Sequence, residues 1–120
     1  MRVYVAGPYR ADTESGVRQN IERARAVAEM LWAKGYAVFC PHLNSAFMGG
    51  VAPSSTFLRG GLEWLAVSEC LVVLDNSQDS EGTQAEVAEA LRMGIPVLTE
   101  SAGWLLHEEN ESGRLPPSST

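Results

Sequence analysis

The sequence predicts an α/β domain of Rossmann-like (flavodoxin-like) architecture, a three-layer open parallel sheet of four to five strands in the order 2-1-3-4. Three observations carry this expectation. The run Cys70-Leu71-Val72-Val73-Leu74 is apolar at every position, as a strand buried on both faces requires. Shorter strand-like runs recur at 2–6, 37–40 and 97–98. Between them lie stretches with apolar residues at helical spacing, and strands alternating with helices pair in parallel through right-handed crossovers. The simplest winding puts strand 1 between strands 2 and 3, so these two flank the switch point outside whose carboxyl ends ligands bind.

Each element follows from its residues. Arg2-Val3-Tyr4-Val5-Ala6 is short and apolar after Arg2, and Gly7-Pro8-Tyr9-Arg10 breaks it. Residues 17–34 place Ile21, Ala24, Ala28 and Leu31 on one helical face, and Gly35 ends that helix. The second strand, 37–40, stops at Pro41-His42. Residues 43–54 then read as a glycine-containing loop with apolar Phe47, Met48 and Val51, the kind that folds over a ligand. Residues 55–68 carry Phe57, Leu58, Leu62 and Leu65 at helical spacing, interrupted by Gly60-Gly61. After the third strand a polar turn leads to a helix over 83–93, stopped by Gly94-Ile95-Pro96 before Val97-Leu98. A short amphipathic piece over 103–107 completes a domain expected at 1–108. The tail, 109–120, is too polar to order itself and is expected to be flexible.

A chain of 120 residues is one domain that buries roughly two thirds of its unfolded surface. Its net charge of -6, with nine scattered Lys and Arg, excludes a nucleic-acid polymer as partner but leaves room for a single mononucleotide. Cys40 and Cys70 sit in apolar runs and read as buried free thiols of a reducing compartment. No metal-ligand spacing occurs, and no apolar stretch has signal or membrane length. A cytoplasmic protein without a membrane partner is therefore expected.

The assumed topology gathers Gly7, Pro8, Tyr9 and Arg10, then His42 and Asn44, then residues 75–86 and 99–101 on one rim. Val-Ala-Gly-Pro-Tyr-Arg at 5–10, Pro41-His42, and Ser80-Glu81-Gly82-Thr83-Gln84-Ala85-Glu86 followed by Ala88, Ala90, Gly94, Pro96 and Val97 form a set specific in order and spacing. Over residues 3–98 the chain resembles the nucleoside 2-deoxyribosyltransferases and the related nucleoside 5'-monophosphate N-glycosidases. The resemblance implies that Glu86 is the nucleophile that attacks the anomeric carbon and releases the base. It implies no cofactor, a nucleoside or nucleotide as the small-molecule partner, and assembly as a homodimer or higher homo-oligomer. Serine at position 80 matches the monophosphate hydrolases rather than the nucleoside transferases, and Arg10 matches an arginine those hydrolases keep near the nucleotide.

Each of these residues also has a plainer reading. A carboxylate stabilises an oxocarbenium-like transition state and traps it covalently, but Thr83-Gln84-Ala85-Glu86 equally fits a capping box in which the glutamate folds back on its helix start. Ser80 and Gly82 precede a helix and form either an anion site at its positive end or an ordinary Ser-Gly turn. Arg10 is a phosphate fork or a solvated loop charge, and Tyr9 stacks on a base or packs on a neighbouring helix. His42, Asn44, Pro8, Asp75 and Thr83 are expected as pocket lining, and Gly7 as part of the substrate-binding turn. One departure stands out: where the family usually carries an aspartate in the helix before the third strand, this chain has Gly61. Glu63 lies about 200° further round that helix and does not replace it. Two functions stay open, an N-glycosidase or deoxyribosyltransferase acting on a nucleoside 5'-monophosphate and a nucleotide-binding regulatory module that has lost turnover.

Overall fold

The alternation of side chains along the first strand builds both cores of the domain. In the computed structural model, which describes residues 1–101, strand β1 (Arg2–Ala6) turns Val3 and Val5 to one face of the sheet and Tyr4 and Ala6 to the other. Helix α1 (Glu14–Ala33) closes the first face with Ala24, Val27, Ala28 and Leu31, which pack with Cys70, Val72 and Leu74. On the second face Tyr4 and Ala6 pack with Leu65, Leu71, Ala90 and Ile95. Leu65 belongs to α3 (Ser54–Ala66) and Ala90 to α4 (Glu81–Arg92). Helix, sheet, helix is the three-layer arrangement that a sheet apolar on both faces demands.

The strands are β1, β2 (Ala37–Phe39), β3 (Cys70–Val73) and β4 (Val97–Thr99), all parallel, in the order β2-β1-β3-β4. This is the order expected, with four strands described. Val3 pairs in register with Val38 and Cys70, and Val72 with Leu98. β1 is therefore flanked on both sides, and its carboxyl end opens beside that of β3.

Several boundaries differ from the expectation for local reasons. α1 starts three residues earlier than residue 17 because the Thr13 hydroxyl accepts from the Gly16 amide and caps it. A short helix, α2 (Pro41–Asn44), stands where a loop was expected, with Pro41 at its first turn. The Gly60-Gly61 pair leaves α3 unbroken. α4 begins at Glu81, since Ser80 rather than Thr83 is the cap: its Oγ accepts from the Thr83 amide at 3.3 Å and lies 2.9 Å from Thr83 Oγ1. Gly35 and Gly94 end α1 and α4 at φ of 93° and 74°, in the left-handed region that favours glycine. The expected piece over 103–107 and the tail lie outside the described residues.

Cys40 and Cys70 are buried free thiols, pushed up by burial to about 11 and about 12. Among the described residues no helix is long and apolar enough to cross a membrane.

Because Ser80 caps the helix that carries Glu86, its removal registers in global stability. Ser80→Ala is expected to lower the unfolding free energy by about 1 kcal/mol in urea denaturation, with an unchanged slope.

Candidate active site

Between the carboxyl ends of β1 and β3 lies a cavity of about 940 Å³. The end of β1 gives it Gly7, Pro8, Tyr9 and Arg10, and the loop after β3 gives it Asn76, Asp79 and Ser80. α3 contributes Phe57 and Leu58, α2 contributes Pro41 and His42, and α4 contributes Glu81, Gly82, Thr83 and Glu86. Gly7 turns the chain where a side chain would have no room against Leu74.

Glu86 is buried in the wall of this cavity, about one and a half turns from the start of α4. It does not reach back to the helix start, so the capping-box reading is set aside. Its Oε2 instead accepts a 2.5 Å hydrogen bond from the hydroxyl of Tyr4, across the sheet-helix interface. Burial disfavours the charged carboxylate and pushes Glu86 up to about 7, a rise that the Tyr4 hydrogen bond partly offsets. Tyr4 is itself driven upward by burial, with the Glu86 charge adding to the rise, and stays a protonated donor. Its ring is stacked on Phe39 at 5.5 Å, and Phe39 on Trp64 at 5.2 Å.

Tyr4 is the site residue that sequence reasoning missed. The available signal was a phenol at the centre of a buried strand, whose hydroxyl must find a polar partner. Gly61, where an aspartate was expected from the resemblance, faces the same hydroxyl. A Cβ built on it would stand 2.6 Å from Tyr4 Oη and 3.8 Å from Glu86 Oε2.

The other expected residues fall into clear places. His42 is buried and held below the ordinary histidine range by desolvation. Neutral, it donates from Nε2 to the Pro8 carbonyl at 2.8 Å, and its Nδ1 lies 3.8 Å from the Cys40 thiol. It acts as a strut that pins the turn after β1. The Tyr9 hydroxyl accepts from the Phe47 amide at 2.9 Å, tying that turn to the loop before α3, and its ring centroid lies 6.0 Å from that of His42. Phe47 itself adopts φ of 60°. Arg10 is exposed on the cavity wall, and its guanidinium pairs with no carboxylate among the described residues. Ser80 and Gly82 line the cavity, the Ser80 hydroxyl being engaged as the cap. Thr83 is buried beneath them.

Two expectations are corrected. Asn44 ends α2 exposed and does not line the cavity. Asp75 is outside it as well, because its amide donates to Glu100 Oε1 at 3.1 Å and its Oδ1 accepts from Ser101 at 3.4 Å, which turns it toward the end of β4. Asn76, within the 75–86 rim, lines the wall as expected, and Phe57 and Leu58 enter it without having been expected there. Among the described residues no cluster of three or more His, Cys, Asp and Glu is placed to hold a metal ion.

Comparison with known proteins bears on the fold first. A solved structure of the 2-deoxyribosyltransferase from the psychrotolerant bacterium Bacillus psychrosaccharolyticus is similar, with a TM-score of 0.60 and 20% identity over 82% of this chain and 71% of that one. No curated protein matches the chain. A family model described as "Domain of unknown function (DUF7768)" matches residues 1–100.

The raised pKa of Glu86 has a signed consequence for stability. Below its unfolded value of 4.5 both states are protonated; between 4.5 and about 7 the unfolded chain ionises first, so stability falls as pH rises and levels off above 7. The loss is on the order of 3 kcal/mol. Glu86→Gln is expected to remove that loss, making the variant more stable than wild type in urea at pH 8 while the difference shrinks toward pH 4.5.

Proposed function

The chain belongs to the family described as a domain of unknown function (DUF7768), and for this member we propose cleavage of the N-glycosidic bond of a nucleoside 5'-monophosphate with Glu86 as nucleophile. The single observation that carries the reading is a buried carboxylate in the wall of a ligand-sized cavity, fixed by a phenol rather than by its own helix. The similarity of the fold to a solved 2-deoxyribosyltransferase supports it.

The Tyr4 hydroxyl holds Oε2, which leaves Oε1 as the attacking oxygen. Attack at the anomeric carbon forms an ester between Oε1 and the sugar as the carbon-nitrogen bond breaks and its electron pair leaves with the base. Water or a second base then attacks the same carbon and returns the carboxylate, giving hydrolysis or transfer. The low-dielectric setting that raises Glu86 also strengthens its attraction to the positive sugar in the transition state. Arg10 and the amides at the start of α4 supply the phosphate contacts, with the planar guanidinium matched to a phosphate edge. Tyr9 and Phe57 offer aromatic surface to the base. Homo-oligomeric assembly and a cytoplasmic location belong to the same reading; of Trp64, Val67 and Leu58, Trp64 and Val67 are exposed and offer apolar surface to a second copy, while Leu58 lines the cavity.

A second reading, nucleotide binding without turnover, is favoured by one observation: Gly61, beside Glu86, brings no carboxylate where the nucleoside 2-deoxyribosyltransferases that the chain resembles usually carry an aspartate. A panel of nucleosides and nucleotides, with free base followed by chromatography, separates the two. The enzyme reading expects release that Glu86→Ala abolishes, and the module reading expects tight binding with no release. Because the nucleophile is the carboxylate form, kcat/KM is expected to rise with pH and level off above about 7. Arg10→Ala is expected to raise KM for monophosphates by roughly tenfold or more and to leave that for unphosphorylated nucleosides unchanged.

A further inference from the structure

We propose that Gly61 is a positioning residue: its missing side chain is the clearance through which the Tyr4 hydroxyl reaches Glu86, so that helix α3 sets the geometry of the nucleophile. The inference deepens the reading of Glu86 given above and rests on it for its bearing on catalysis, while its physical content stands on the geometry alone.

A helix by itself favours alanine over glycine, so two successive glycines inside α3 ask for a reason. The two differ sharply. A Cβ at Gly60 would meet nothing within 4 Å, whereas one at Gly61 would stand 2.6 Å from Tyr4 Oη, closer than real Cβ atoms approach. The next nearest atoms to that Cβ are Glu86 Oε2 at 3.8 Å and Tyr4 Cζ at 3.9 Å, both ordinary contacts. The conflict is therefore with the hydroxyl oxygen alone.

Tyr4 has little freedom to retreat. Its backbone is paired in register with Phe39 on one side and Leu71 on the other, and its ring lies stacked on Phe39. Any side chain at 61, an aspartate included, meets the same oxygen first. Moving that oxygen breaks the hydrogen bond to Oε2 and releases the carboxylate rotamer. Among the titratable groups that face Glu86, Tyr4 from β1 supplies the hydrogen bond, while Cys40 after β2 faces it as a protonated thiol.

The test is a cycle of Gly61→Ala and Tyr4→Phe, with Gly60→Ala as the control, read by thermal melting and by the carboxyl carbon resonance of Glu86 across a pH titration. Gly61→Ala is expected to lower the Tm by roughly 5 °C when Tyr4 is present. It is expected to raise the Tm in the Tyr4→Phe background, where the obstructing oxygen is gone and helix propensity alone remains. Gly60→Ala is expected to raise it in both. Gly61→Ala is further expected to move the Glu86 midpoint upward, in the direction of Tyr4→Phe, with the double variant moving no further than Tyr4→Phe. A Gly61→Ala that raises the Tm in both backgrounds, or leaves the Glu86 midpoint where it was, overturns the proposal. Neither readout involves a substrate, so absence of base release from the wild type would defeat the enzymatic reading and leave this one standing.

Discussion

A hydrogen bond between the phenol of Tyr4 and the carboxylate of Glu86 is the constraint on which the site depends. It crosses from a strand paired on both sides to the helix after β3, so its length is set by how α4 docks on the sheet. Everything around it protects that length. The stack from Tyr4 through Phe39 to Trp64 fixes the ring, the Ser80 cap fixes the helix start, and Gly61 leaves room for the oxygen. The carboxylate has been taken out of water with a hydroxyl as its partner, which costs stability once it ionises. A buried carboxyl with perturbed titration in a cavity wall is a candidate functional group.

Much of the architecture was legible because the sheet is apolar on both faces. Cys70 to Val73 needs cover above and below, and only helices on both sides provide it, so parallel pairing and the strand order follow from the alternation of elements. The start of α4 was harder. Ser80 and Thr83 stand three residues apart and each satisfies a cap pattern, and the choice is made by tertiary packing, which buries Thr83 and Glu86 together. Tyr4 was read only as part of a strand because the reason for its polarity sits on another element, 82 residues away. The same holds for Gly61, whose local signal is a poor helix former and whose meaning is a clearance.

The rest of the cavity divides into supports and contacts. His42 and Tyr9 both spend their polar atoms on the turn after β1, one holding the Pro8 carbonyl and the other the Phe47 amide, so that turn is anchored from two directions. Arg10 emerges from the anchored turn and lines the same cavity as Asp79, Glu81 and Glu86.

The central claim is a covalent one, and intact and peptide mass spectrometry reads it directly. After incubation with a 2'-fluoro nucleoside 5'-monophosphate, whose electron-poor sugar slows breakdown of the ester, wild-type protein should carry one fluorinated sugar phosphate on the peptide containing Glu86, and Glu86→Gln should carry none. Base released with no such adduct, and still released by Glu86→Gln, would contradict the account.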